Sequence, residues 1–446
     1  MNIKHLMKTV VTKDDFEYEQ SRQAWNRAIQ KYPQAIAYCQ SEEDVMKALK
    51  FCKEFKMPFR IRSGGHHYEG YSTGNDLLVI DVSQLNSITL DETNHIVTAQ
   101  GGVRNREMYE AVCGAGYPFP GGGCPTVGVA GYTLGGGWGY SSRLFGLGCD
   151  SLIEVELIDY KGEKLVANAY ENADLYWALK GSGGGNFGVI TKLTYQLPNK
   201  IQMCTLVNID YQHVNIEKII EVACEYQQFF KDLDRRLNLK MAMYNSDTKG
   251  HGVRLTGIFY GTESEADDLL NRFNDATEYD LQYMTVLDAN RAVQDSHPDF
   301  EKYRSGGRFI YRNYNQDELA RMLDLIETRA EGSLYTAITF YGVGGAISDV
   351  SSKDSAYYHR DALFILGFQS VWEESQYAPV NRQWVADRFK ILSQYTKGSF
   401  INFPIDQNDY ETQYYGENLP GLKEVKSKYD PNNFFNFEQG IKPLSL

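Results

Sequence analysis

The sequence predicts an α+β protein in two parts, one organised by glycine-rich loops and one built on an antiparallel sheet covered by helices. Three observations carry this expectation. Two glycine clusters, Ile61–Gly70 and Gly121–Gly131, stand about sixty residues apart, with a third run, Gly135-Gly136-Gly137-Trp138-Gly139, directly behind. From about residue 200 to 405 such loops disappear, and strand-like apolar runs alternate with long polar helical segments. A chain of 446 residues also exceeds one comfortable hydrophobic core.

Taken in order, residues 16–30 read as an amphipathic helix and 35–39 as a short buried strand. Ser41 offers an N-cap with acids at 42–44 behind it, and Val45, Leu49, Cys52 and Phe55 fall near helical spacing. Pro58–Arg62 returns as a strand that delivers the first glycine cluster, so this stretch reads as a βαβ-like unit. Strands follow at 77–81 and 96–100, and a short helix at 103–114. Leu152–Ile158 alternates like a half-buried strand, Lys161-Gly162 turns into Leu165-Val166, and a strand at 189–195 precedes Pro198, the expected boundary. Beyond it, 239–243, 252–260, 334–341 and 362–370 read as strands and 263–274 and 315–330 as helices. That mix suits an antiparallel sheet with helices on one face, free to roof a pocket. His359-Arg360-Asp361 reads as the opening of a strand, and most of the 32 tyrosines read as core or surface residues.

Composition narrows the partners. The formal charge of −13 argues against nucleic-acid or anionic-membrane binding, which need basic surfaces. Met1–Gln20 mixes lysines and acids with no apolar run of signal-peptide or membrane-span length, so a cytoplasmic location is expected. Seven cysteines form no C-x-x-C pair; no metal site is expected, and six of the seven read as packing residues.

The glycine clusters carry the chemistry. Loops this poor in Cβ atoms let successive N–H groups converge on an anion and let the backbone lie against a planar ligand, which suits a phosphate-bearing cofactor. Neither cluster has the Gly-Lys-Ser/Thr of a Walker loop, and none matches G-x-G-x-x-G between a strand and a helix. Each instead carries one nucleophilic side chain, His66 in the first and Cys124 in the second. Taken singly, such a histidine can simply cap a turn and such a cysteine can simply be buried and inert.

Arg62-Ser63-Gly64-Gly65-His66 with Tyr68, then Cys124-Pro125-Thr126-Val127-Gly128-Val129, resembles the berberine-bridge-enzyme-like oxidases of the vanillyl-alcohol-oxidase flavoprotein family, with their PCMH-type FAD-binding domain. The likeness continues through Asp174–Gly181 and Gly184–Val189 and closes with Tyr414–Asn418 and Tyr429–Phe435. It implies residues 1–198 and 410–446 as a discontinuous FAD-binding domain and 199–409 as the substrate domain. It implies FAD attached through His66, to the flavin C8 methyl, and through Cys124, to C6; His67 is the confounder, but the family's histidine follows the glycine pair directly. The backbone of Arg62, Ser63, Gly64 and Gly65, with Thr126 and Gly128, is expected at the pyrophosphate, and Gly188 and Val189 along the adenosine half. Tyr68 matches a tyrosine on the substrate side, and Val127 stands where a small residue goes with oxygen access, which implies an oxidase making hydrogen peroxide from an alcohol, sugar or natural-product substrate. Plant relatives often carry a leader and a disulfide, so the N-terminus resembles the bacterial branch.

One departure stands out. Where the family carries its base in an Asn-Tyr-x-Asp-like motif, this chain reads Asn402-Phe403-Pro404-Ile405-Asp406. Phe403 accepts no proton. Tyr68, Tyr341, Asp406 and Tyr415 are the substitutes weighed, although a phenol of pKa ~10 is a poor base unless activated. A flavoprotein that has lost turnover and a dehydrogenase with a non-oxygen acceptor are the competing readings.

Overall fold

The structure, a computed structural model, describes residues 4, 7 and 9–444. The other residues of the N-terminal stretch weighed for a leader (1–3, 5, 6 and 8) and residues 445–446 lie outside the described residues.

The first sheet holds β1 (Val10–Thr12), β2 (Ala35–Tyr38), β3 (Phe59–Arg62) and β4 (Leu78–Asp81) in the order β1-β2-β4-β3. β2 and β3 both run parallel to β4. Thus β4 slots between the two strands of the expected βαβ unit. The helix expected over 16–30 is a single turn, α1 (Tyr18–Ser21). Tertiary contacts claim the rest: Trp25 stacks on His66, and the Asn26 amide donates to the Tyr303 carbonyl at 3.0 Å. α2 (Glu42–Phe55) forms as its cap predicts, with the Ser41 hydroxyl accepting from the Asp44 N–H at 3.2 Å.

A second sheet is antiparallel throughout, with β5 (Ile88–Asp91), β6 (Ile96–Gln100), β7 (Leu152–Ile158), β8 (Lys164–Asn168) and β9 (Val189–Gln196) in the order β5-β6-β9-β7-β8. Between β6 and β7 run α3 (Asn105–Gly114), α4 (Val129–Leu134) and α5 (Ser142–Phe145), and α6 (Ala173–Leu179) precedes β9.

The third sheet comprises β10 (Met203–Gln212), β11 (Leu237–Ser246), β12 (Gly250–Phe259), β13 (Glu278–Thr285), β14 (Lys302–Ile310), β15 (Ser333–Gly342) and β16 (Phe364–Trp372). Its order is β13-β10-β12-β11-β15-β16-β14, and every pairing is antiparallel. α7 (Ile216–Lys231), α8 (Glu263–Leu270), α10 (Gln316–Leu323) and α11 (Ala378–Leu392) bury their apolar sides against one face, while α9 (Val286–Asp295) packs on α3. The helix expected to reach residue 330 ends at Leu323. Past that point the Asn245 amide takes the carbonyls of Ile326 and Glu327, and Arg388 takes that of Leu325. Those acceptors are spent on side chains.

The last elements, α12 (Tyr410–Tyr415) and α13 (Leu419–Tyr429), return to the N-terminal sheets. Lys426, fully buried, donates to the carbonyls of Asn186 and Phe435 at 2.6 and 2.8 Å and pairs with Asp430 at 2.7 Å. No helix among the described residues is long and apolar enough to cross a membrane.

Candidate functional site

The glycine clusters converge because the strand ends place them there. β3 delivers Ser63–Gly70, and the second cluster enters α4 through Gly128. The loops touch backbone to backbone: a Cβ on Gly64 would stand 2.3 Å from the Gly128 nitrogen and 2.7 Å from the Thr126 oxygen. Only glycine permits that approach. Arg62 turns its guanidinium into an ion pair with Asp81 and donates to the Ser21 carbonyl at 2.8 Å, bracing the loop from behind.

Beneath the loops lies a cavity of about 560 Å³. Ser63, Gly64, Gly65, His66, Tyr68, Cys124, Val127, Gly128 and Gly188 border it, whereas Arg62, Thr126 and Val189 do not. His66 and Cys124 meet at one hydroxyl: His66 Nε2 lies 2.8 Å from Thr126 Oγ1 and Cys124 Sγ 4.0 Å from the same atom. The imidazole stacks on Trp25 with ring centres 4.8 Å apart. Burial, helped by Arg104 and His297, pulls its pKa down to about 3, so it is neutral, with one ring nitrogen carrying a lone pair. Burial pushes the Cys124 thiol up, opposed by hydrogen bonding from Thr126 and the Val127 backbone. His67, the confounding neighbour, also borders the cavity, where it tilts against Tyr71 and does not share the Thr126 contact of His66.

The cavity suits a large, partly polar, planar ligand. A Cβ on Gly131 would meet nothing within 4 Å, leaving open space along α4. Four buried polar atoms on lining residues, Trp25 Nε1, Arg60 Nε, Ser72 Oγ and Asn105 Oδ1, have no protein partner. Such atoms are costly unless a ligand or water satisfies them.

Opposite the loops the third sheet closes the cavity. Phe403 stacks on Tyr68 at 5.3 Å with planes 4° apart, and Tyr341 tilts against its other side at 5.3 Å. Gly307 holds Phe403 in place by donating to its carbonyl at 2.8 Å. Of the four proton acceptors weighed, Tyr68 and Tyr341 reach the cavity, and burial raises both phenols. The other two do not. Asp406 lies off the lining, and Tyr415 is fully buried with its hydroxyl donating to the Ser182 carbonyl at 2.9 Å.

Several lining residues escaped the sequence reading. Glu301, which borders the cavity just before β14, is raised by burial to about 7. His297 joins it from a loop that carried no periodic signal, and Trp25 from the stretch whose periodicity reads as a helix but which is loop beyond Ser21. Lys240 and Gln369 project from β11 and β16. For Lys240 a signal existed, since Leu239-Lys240-Met241-Ala242-Met243 alternates and so turns Lys240 away from the apolar face.

Known proteins match this architecture. The family model described as FAD binding domain matches residues 33–168, and that described as Berberine and berberine like matches 399–442. The uncharacterized FAD-linked oxidoreductase YvdP of Bacillus subtilis (strain 168) is 32% identical over 97% of this chain and 98% of its own length. The chain belongs to the berberine-bridge-enzyme-like FAD-linked oxidoreductases. Within this family the carbohydrate oxidase of Microdochium nivale is 26% identical, over 96% of this chain and 91% of its own. The solved structure of Physcomitrella patens BBE-like 1 superposes with a TM-score of 0.88 at 25% identity, covering 99% of both chains. The protein is therefore an FAD-dependent oxidoreductase with a small-molecule substrate and an α+β, PCMH-type fold.

Proposed function

We propose that this oxidoreductase carries FAD attached at both His66 and Cys124 and oxidises an alcohol or sugar hydroxyl, with O2 as electron acceptor and hydrogen peroxide as product. The observation that carries the reading is the meeting of His66 and Cys124 at the Thr126 hydroxyl on one cavity wall, although they lie far apart in the chain. When bound, FAD supplies the hydride-accepting and oxygen-reducing chemistry. Residues 1–198 with 410–446 would hold it, and 199–409 would face the substrate.

The chain's own residues do the rest. His66 offers a neutral nitrogen and Cys124 a sulfur for attachment, and the backbone of both glycine loops lies close enough to receive phosphate. Tyr68, Phe403 and Tyr341 form an aromatic wall that orients a ring or polyol. Glu301 stands in for the family tyrosine as acceptor of the substrate's hydroxyl proton, since a carboxyl of pKa near 7 is half ionised at neutral pH. Val127 borders the cavity with a small side chain, which supports oxygen access. The carbohydrate oxidase relative supports a hydroxylated substrate. Phe403 is the observation behind the competing reading, a flavin carrier without turnover; Glu301 in the same cavity favours turnover.

Acid precipitation of the purified holoprotein tests attachment: the flavin should stay with the pellet in wild type, His66→Ala and Cys124→Ala, and leave it in the double variant. Covalent flavin in the double variant would overturn the assignment. Reduction by dithionite followed by air should give rapid reoxidation with stoichiometric peroxide, and slow reoxidation would point to a different acceptor.

A further inference from the structure

The two faces of the third sheet differ in kind. Along β11, Leu239, Met241 and Met243 enter the core under α7, α10 and α11, while Lys240 points the opposite way and borders the cavity. Its cross-strand partner is Tyr341 of β15. The Lys240 ammonium lies 5.9 Å from the centre of the Tyr341 ring and 5.8 Å from that of Tyr140. Among the described residues it forms no ion pair. Asp210, the acid of β10 on the same sheet, is already taken by Lys249 at 3.2 Å and Arg254 at 2.7 Å.

An ammonium in this position is poorly compensated. Burial works against its charge, and the facing groups are the Tyr140 and Tyr341 phenols, one of which, Tyr140, hydrogen-bonds to it. Burial pushes the Tyr341 phenol up even with Lys240 beside it, so that ring offers no negative charge. The result is a half-buried positive charge on the cavity wall with only ring faces and a hydroxyl for company. Neutral hydroxyl groups of a substrate would not neutralise it, whereas one carboxylate would. A phosphate dianion would bring two negative charges against this single ammonium and leave one uncompensated, whereas a carboxylate matches it one to one.

We propose that Lys240 is the recognition point for a carboxylate on the substrate, so that the substrate class is a hydroxy acid, sugar acids included. This rests on the oxidoreductase reading of the same cavity. The acid group pairs with Lys240, and the carbinol extends along the Tyr341, Phe403 and Tyr68 wall.

The test uses the holoprotein and three matched pairs that differ only in carboxylate against CH2OH: D-glucuronate and D-glucose, lactate and propane-1,2-diol, mandelate and 1-phenylethane-1,2-diol. Each is titrated anaerobically while the visible flavin absorption is followed for perturbation or bleaching. At least one acid is expected to act at a concentration about tenfold or more below its neutral partner, the size of one charged hydrogen bond. Lys240→Met should abolish that preference and Lys240→Arg should keep part of it. No acid acting better than its neutral partner, silence from all three acids, or a preference that survives in Lys240→Met would each overturn the proposal. Flavin content and reoxidation by air, read on the same samples before any ligand is added, test the underlying reading separately.

Discussion

Glu301 and His66 share a cavity and meet the same pressure with opposite results. Burial removes the charge from both, holding the histidine's pKa near 3 and lifting the glutamate's to about 7. For a proton acceptor the consequence is a signed pH profile. The carboxylate is the working form, so kcat/KM should rise with pH through about 7 and level off above it. Glu301→Gln should lower kcat/KM by on the order of 100-fold and remove that limb, the usual contribution of a general base. A variant that keeps the wild-type rate and profile would return the role to Tyr341 or Tyr68. Neither Glu301 nor His297 was visible in the sequence, because loop residues carry no periodicity and their neighbours come from distant strands. His66 and Cys124 were visible because glycines surround them: close backbone approach leaves a mark in composition, and an isolated carboxylate does not.

At the scale of elements, the contact between the two glycine loops is the least forgiving feature. A side chain at Gly64 meets backbone atoms of Thr126 and Gly128, which cannot swing aside. Gly64→Ala should therefore lower the melting temperature, by about 1–3 kcal/mol of overpacking, and reduce the flavin retained per protein, read as the 450 nm to 280 nm absorbance ratio. Gly114→Ala, at the end of α3 and off the cavity lining, is the control. It adds its methyl in open space on a helix away from the cofactor cavity, and its melting temperature and flavin content should match or exceed wild type. Equal behaviour of the two would refute the loop-contact account. Local signals served well where local forces decide, as at Ser41, which caps α2 as expected. They failed where distant partners take over. Residues 22–30 gave up a helix to reach His66 and Tyr303, and residues 324–330 gave up theirs to Asn245 and Arg388.

For the molecule as a whole, the C-terminal return is held by a charge with no access to water. Lys426 and Asp430 are both fully buried, so Lys426→Met strands a carboxylate and should cost about 3 kcal/mol, read by denaturant unfolding. An unchanged midpoint would show the pair to be dispensable. Stability should also fall in mild acid. Burial holds His67 near 3 and His359 near 4, so the unfolded chain, with histidine pKa ~6.5, binds more protons than the folded one over the interval between. That stability is present above pH ~6.5 and is lost as pH falls towards those values. Glu301 acts in the opposite sense between its ordinary value of 4.5 and about 7, one group against these two and His66. The melting temperature should therefore drop from pH 7 to 5, and a flat or rising curve would contradict the balance. The antiparallel sheet with helices on one face was legible as a class from alternating runs such as 239–243, but strand order was not, since it is fixed by pairings such as β11 with β15 across some hundred residues. That sheet has a further consequence. Because neighbouring positions on β11 serve separate tasks, Leu239 and Met241 in the core and Lys240 at the cavity, new chemical preferences can arise by changing alternate residues alone. A lineage could move between acidic and neutral substrates through single exchanges, with its folding apparatus inherited intact.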